Sequence, residues 1–433
     1  MQVLPFSDPD FAAKVRQFLA GAAATPEIQE TVAAILADVT KRGDDAVIDY
    51  TARFDGHRFV PGELRVPHEV LAAAVHTLTN TQRAAIEEAI DCVRAFHRKG
   101  LPASWTDLNP HGATVGERWY SIQRVGIYIP AGQTPLVSTA VMTITLAQLA
   151  GVPEIAVFTP PGKDGQLSPA MAAGLHLCGA TEVYRIGGAQ AIAAAAYGTA
   201  TIPAVAKIMG PGNAYVAEAQ RQVFGTVGID LLPGPSEACA IADASANPAW
   251  IAADLLAQAE HGTGREKVTY IYLDPAQANA VEREIERQLP SLTHAKAIRQ
   301  VLETHTLFVP VTELDEAIAA ANLLAPEHLE LHVDDANLPP LLEGITTAGA
   351  ILCGHETPTV LGDFTAGPSH TLPTGGTGRF FSGLKITDFM RRSSLVRYDA
   401  ASLAKARATV AAFAALEDLD AHGQSMEIRF SSD

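Results

Sequence analysis

Three short segments of this chain carry side chains suited to chemistry. The first is Gln258-Ala-Glu-His261. Gln258 and His261 are three residues apart, so on a helix they share one face near its C-terminal end. A neutral imidazole there is a good zinc ligand, and a glutamine oxygen is a weaker one. The same pattern arises if His261 merely caps its helix, where a cation is favourable. On this segment alone the cap is the simpler account. The second segment is Ala325-Pro-Glu-His328. Pro326 interrupts a helical pattern, so Glu327 and His328 follow a forced break in the backbone. Adjacent Glu and His are two proton acceptors with different reference pKa values, suited to two different proton transfers. A solvent-facing pair at a helix end would look alike. The third segment runs from Gly362 to Gly376 and is dense in Gly, Pro, Asp and His. It is expected as a loop carrying Asp363 and His370, either as ligand residues or as a turn cluster with Asp363 in an Asx-turn.

Two glycine-rich turns, Gly187-Gly-Ala-Gln190 and Gly210-Pro-Gly-Asn213, each follow a strand-like run and precede a helical one. Backbone N–H groups at such helix starts can face a pyrophosphate. Neither GxGxxG nor GxxxxGK[ST] occurs, so on local pattern these are tight strand-to-helix turns.

The elements that must position these residues alternate. Short apolar runs at 125–129, 154–158, 182–186 and 204–209 are separated by helical segments at 168–177, 189–197 and 214–224. That alternation predicts βαβ units and a parallel sheet. It resumes with strands at 268–273, 306–310, 329–333 and 350–353 and helices at 275–288 and 313–324. The predicted class is α/β, with two Rossmann-like parallel-sheet domains, one inserted in the other, a helical N-terminal arm and a C-terminal tail. The expected boundaries are an arm over 1–25, one α/β domain over 26–125 and 236–381, an inserted nucleotide-sized domain over 126–235, and a tail over 382–433. Thr25-Pro26 is a cap and first helical residue. Val32, Ile35, Leu36 and Val39 then fall on one face, and Gly43 stops the helix.

Composition narrows the partners. Hydrophobic residues make up 48% of the 433 residues and charged residues 18%, with a formal charge of -17. So acidic a surface repels phosphate backbones and anionic lipids, which argues against nucleic acid and membrane partners. The most apolar stretch, Leu136 to Val152, is interrupted by Ser138, Thr139, Thr143, Thr145 and Gln148 and reads as a buried helix. Cys92, Cys178, Cys239 and Cys353 form no CxxC, and the start of the chain does not read as a secretory signal. The expected compartment is therefore cytoplasmic. Any metal must be held by His, Asp, Glu or Gln.

Taken in order, nine segments resemble the histidinol dehydrogenase family. They are Gly43-Asp44 with DYTARFD at 49–55; VGIYIPAG at 125–132 with PLVSTAVM at 135–142; GGAQAIA at 187–193; KIMGPGNAYV at 207–216; VGIDLLPGPSEA at 227–238; DLLAQAEH at 254–261; APEHLEL at 325–331; GDFTAGPSHTLPTGG at 362–376; and RFFSGL at 379–384. The resemblance implies oxidation of L-histidinol to L-histidine through L-histidinal, with two NAD and one zinc per subunit. It implies zinc ligands at Gln258, His261, Asp363 and His422. Substrate contacts fall on Ser236, Gln258, His261, His328, Asp363, His370, Glu417 and His422. The catalytic pair falls on Glu327 and His328, and NAD contacts on Tyr128, Gln190 and Asn213. It also implies a homodimer with shared active sites, each completed by the partner's Glu417 and His422.

The chain departs from the family pattern beside two site residues, with Gly262 after His261 and Ser369 before His370. These departures keep a second substrate open: another small alcohol, such as a sulfonated propanediol, oxidised by a paralogous zinc and NAD enzyme. A zinc hydrolase using Glu327 as base, and a binding module with a structural zinc, are the readings from other classes. The βαβ run at 126–235 speaks against the first, and the Gln258 ligand against the second.

Overall fold

The computed structural model describes residues 1–20, 25–131, 135–232, 234–261 and 264–431. Gly132 and Gly262 lie outside them. The chain divides into two compact units: Met1–Gly100 with Ile122–Phe389, and Leu101–Ser121 with Met390–Asp433.

The first unit holds two parallel sheets. The larger has, in spatial order, the strands Gln2–Val3, Thr306–Pro310, Lys267–Tyr272, Glu237–Ala242, His328–His332 and Ala350–Cys353. The smaller has Glu182–Tyr184, Glu154–Phe158, Arg124–Tyr128, Lys207–Met209 and Gly228–Ile229. Apart from the edge strand Gln2–Val3, the chain enters each sheet at a central strand, steps outward twice, then crosses back to the other side. This is doubly wound α/β topology, with a switch point beside the first strand laid down. The smaller sheet lies in the chain between the edge strand Gln2–Val3 and the rest of the larger one. Strands covered on both faces read as unbroken apolar runs, as IAVF at 155–158 does, with its last three residues buried.

The helices obey their local signals. Pro26–Arg42 is capped by Thr25, ends at Gly43 with φ 58°, and buries Val32, Ile35, Leu36 and Val39. That face packs with Ala156, Phe158, Ala189 and Ile208, in the core of the smaller sheet. The expected boundaries place residues 26–125 with the larger one. An apolar stripe specifies a buried face, and either sheet can satisfy it. Val137–Leu149 is buried along most of its length, and no described helix is long and apolar enough to cross a membrane. The N-terminal segment is more than an arm: Gln2–Val3 pairs with Thr306–Pro310, and Phe11 and Val15 join a core with Leu307 and Leu329.

Glu237–Ala242, EACAIA, is a central strand that the pattern reading did not pick out, because small residues blur its apolar signal. In register beside it, Lys267 opposes Glu237. Lys267 Nζ donates to Glu237 Oε1 at 3.3 Å and to the Leu19 carbonyl at 2.9 Å.

The second unit is an antiparallel sheet with Thr114–Ser121 between Trp105–Leu108 and Met390–Arg397, together with helices Ala400–Leu416 and Asp420–Glu427. Residues 105–121 were expected in the α/β domain and 390–397 in a strandless tail. Their pairing joins segments far apart in sequence, which local periodicity does not report.

Candidate active site

The amino edge of the larger sheet gathers most of the chemistry-bearing residues. The helix Leu314–Leu324 ends at Ala325, whose φ of 48° is left-handed. For a residue with a Cβ that conformation costs about 1–2 kcal/mol. Pro326 follows, and His328 opens the next strand. The Pro326 and Glu327 carbonyls accept from Gly349 and Ala350 N–H, each at 2.9 Å. A Cβ on Gly349 would lie 2.6 Å from the Glu327 carbonyl oxygen, so only glycine permits this approach.

Glu327 Oε2 accepts from the Glu237 N–H at 2.8 Å. Burial pushes its carboxyl well above the ordinary range; the Glu237 N–H opposes this, and the charges of Glu237 and Asp363 add to it. His328 is 4% exposed, and neither ring nitrogen has a side-chain hydrogen-bond partner among the described residues. Nδ1 lies 3.9 Å from Glu327 Oε2, and Nε2 lies 3.8 Å from Asp363 Oδ1. Burial lowers this imidazole to about 4, helped by the neighbouring His370 and His261. The result is a neutral ring facing two carboxyl groups.

Asp363 sits in a short helix, Thr359–Phe364. This corrects the expectation of a loop there: Pro358 precedes the helix, and the glycine- and proline-rich part begins only beyond it. Burial raises Asp363 to about 6, with His261 opposing and Glu330 adding. His370 does lie on the loop. Its Nδ1 is 3.9 Å from Asp363 Oδ1, and its Nε2 is 3.3 Å from Thr139 Oγ1, on the helix Val137–Leu149 of the smaller sheet. Burial lowers it to about 4 as well.

Gln258 lies in the last turn of the helix Pro248–Ala259, and His261 in the turn just beyond it; Asn247 caps the start of this helix by accepting from the Ala249 N–H at 2.9 Å. This helix follows the strand Glu237–Ala242 and runs back, so its C-terminal end returns to the amino edge. Gln258 is 2% exposed, and neither atom of its amide has a partner among the described residues. An orphaned buried amide costs about 1–3 kcal/mol, so a ligand at that point relieves a real penalty. His261 Nδ1 is 3.2 Å from the Gln258 carbonyl, as a cap would be. Its charge also acts on Asp363, His328 and His370. The donor set of amide, imidazole and carboxylate fits zinc.

Ser236 is half-buried just before the strand Glu237–Ala242, and its carbonyl accepts from the Lys267 N–H at 3.0 Å. Glu417 and His422 belong to the second unit. Glu417 closes the helix Ala400–Leu416, and His422 is exposed on Asp420–Glu427.

At the carboxyl edge of the smaller sheet, Tyr128 ends its strand and Gln190 and Asn213 stand at two helix starts. The Tyr128 hydroxyl accepts from the Gly188 N–H at 3.1 Å, and burial pushes it up to about 12. Gln190 is fully buried, with both amide atoms unpartnered among the described residues. Asn213 caps its helix through the N–H groups of Tyr215 and Val216. The strands Arg124–Tyr128 and Lys207–Met209 flank the switch point, the usual ligand crevice of such sheets.

Sequence reasoning missed Thr139, Glu237 and a buried polar stripe. His328, Glu330 and His332 alternate on one strand and so share a face. Period-two polar residues inside a wholly buried strand were the available signal.

Comparison with known proteins agrees with the resemblance. A profile of the family described as histidinol dehydrogenase matches residues 20–430. The histidinol dehydrogenase of Syntrophotalea carbinolica is 41% identical over 430 residues, covering 99% of each chain. That of Geobacter sulfurreducens is 42% identical, covering 99% of this chain and all of its own length. The solved structure of histidinol dehydrogenase from Elizabethkingia anophelis superposes with a TM-score of 0.93 at 31% identity, over 99% of this chain and 98% of its own. With a buried Glu-His pair at one sheet edge and near-complete coverage by these relatives, the chain belongs to the histidinol dehydrogenase family.

Proposed function

We propose that this chain oxidises L-histidinol to L-histidine through L-histidinal, the last steps of histidine biosynthesis. The observation that carries the reading is the convergence of Glu327, His328, Asp363 and His370 at one buried edge, within 3.8–3.9 Å of one another in sequence of contact. Gln258, His261 and Asp363 would hold the zinc, with the partner subunit's His422 as fourth ligand in a homodimer. Such a zinc would supply a fixed anchor for the substrate, and positioning of that kind is worth several kcal/mol of barrier. NAD supplies the hydride acceptor, and Tyr128, Gln190 and Asn213 would hold it. Ser236, His370 and the partner subunit's Glu417 would complete the substrate's pocket.

The chain's own residues then move protons. His328 is neutral at physiological pH, so it can take the hydroxyl proton as the carbinol carbon gives up its hydride. Water must next add to the aldehyde. Glu327, in a dry setting that raises its basicity, takes the proton of that water. His328 again accepts a proton from the hydrate as the second hydride leaves. The sum is two hydrides to two NAD and one water consumed.

A spectrophotometric assay with L-histidinol and NAD should yield two NADH per alcohol consumed; no turnover of this alcohol would sink the reading. Glu327→Gln should slow histidinal oxidation about 100-fold or more while sparing the first oxidation. Equal loss in both half-reactions, followed by rapid mixing, would remove its water-activating role. Gln190→Ala should raise the KM for NAD by about tenfold with kcat nearly kept, the worth of one hydrogen bond. An unchanged KM would take Gln190 out of the nucleotide site.

A further inference from the structure

The polar stripe on His328–His332 continues beyond the proposed active site. Same-face residues on a strand are about 6.6 Å apart, and residues one turn apart on a helix about 6 Å. The strand and the helix Pro248–Ala259 therefore stay in step. While His328 accompanies Gln258 and His261, the next residues, Glu330 and His332, meet Asp254, one turn before Gln258.

His332 Nε2 lies 3.4 Å from Glu330 Oε2 and 3.5 Å from Asp254 Oδ2, and ligand atoms of all three lie within 4.8 Å of one another. These separations exceed the roughly 2.7–2.9 Å of a charge-assisted hydrogen bond. They match the spacing of two ligands on one tetrahedral zinc, about 3.3–3.6 Å for bonds of about 2.0–2.2 Å. Glu330 is already oriented from behind: its Oε1 accepts from the Thr359 N–H and hydroxyl, both at 2.7 Å, leaving Oε2 for the cluster. Support of a ligating carboxylate by such outer hydrogen bonds is usual at metal sites. His332 is 1% exposed and its Nδ1 has no partner among the described residues. One turn on, the Gln258 amide is likewise orphaned. Glu330 is buried and Asp254 half-buried, both face one buried imidazole, and no Lys or Arg is ion-paired to either among the described residues, a grouping that a bound cation would compensate.

We propose that Asp254, Glu330 and His332 form a second divalent-cation site for a zinc-class metal, distinct from the zinc of the proposed active site. Three protein ligands leave a fourth position open, and the site ties strand to helix directly behind His328.

The test is metal stoichiometry on the full-length dimer or monomer as purified, stripped with chelator and dialysed against zinc. Wild type should hold two zinc per chain by mass spectrometry. Asp254→Asn with Glu330→Gln should hold one, and so should His261→Asn, with none left in the combination. Loss of metal only in the His261 variant, with the count in the Asp254/Glu330 variant equal to wild type, overturns the second site. One zinc in wild type that vanishes in the Asp254/Glu330 variant but survives His261→Asn keeps this site and sinks the proposed catalytic ligand set instead. If the double variant fails to fold, His332→Asn after cobalt loading carries the test: it should lose one of two sets of visible d–d bands, and an unchanged spectrum overturns the proposal.

Discussion

His328→Asn should lower kcat for histidinol oxidation by about 100- to 10,000-fold, the usual worth of a positioned general base. Asparagine keeps the size and polarity of the ring but does not take up a proton at neutral pH. The position makes the loss severe. Both ring nitrogens are buried without side-chain hydrogen-bond partners, and Nε2 faces the Asp363 carboxyl at 3.8 Å. No exposed imidazole can substitute from solution into so closed a place. Zinc content should stay at the wild-type value, because His328 is not among the proposed ligands. Retained turnover, or loss of metal in step with activity, would show that the role has been misassigned. The measurement is steady-state NADH formation beside metal analysis of the same sample.

Lys267→Met should destabilise the first unit by about 3–5 kcal/mol, the cost of breaking a buried ion pair from one side. Lys267 is 4% exposed and Glu237 3%. Burial raises the Glu237 carboxyl, and Lys267 is the strongest influence opposing it. Removing that ammonium strands the carboxylate beneath the sheet edge and frees the Leu19 carbonyl. The damage should reach the site, since the Glu237 N–H is the donor that fixes Glu327. Adding Glu237→Gln to Lys267→Met should recover a good part of the loss, because a neutral amide is cheaper to bury than an unpaired charge. A urea midpoint shifted by less than the equivalent of about 1 kcal/mol would show that the pair carries little stability.

Much of the molecule was legible in residue order because its signals are local. The Thr25-Pro26 cap, the apolar face of the helix after it, the Asn247-Pro248 start and the break at Pro326 each depend on neighbours within a turn or two. The alternation of short apolar runs with helices carried the α/β class and the parallel sheets for the same reason. Glu327, His328, Asp363 and His370 stood out as residue types in unusual settings, and the family resemblance supplied their expected roles.

What stayed hidden depends on distance through space. Residues 26–54 could have covered either sheet, since a hydrophobic stripe names no partner. Residues 114–121 found theirs only by pairing with 390–397. The central strand Glu237–Ala242 and the helical setting of Asp363 were missed because small or turn-favouring residues carry weak propensity, and packing overrode it. The buried stripe of His328, Glu330 and His332 becomes chemistry only once Pro248–Ala259 lies across it. By itself, then, the sequence determined most of the elements and which side chains are reactive, because propensity and capping act over a few residues. The tertiary structure alone decided which sheet each face covers, which polar groups lose water, and so which imidazoles resist protonation and which carboxyls become more basic: desolvation is a property of the packed neighbourhood and is written in no single segment.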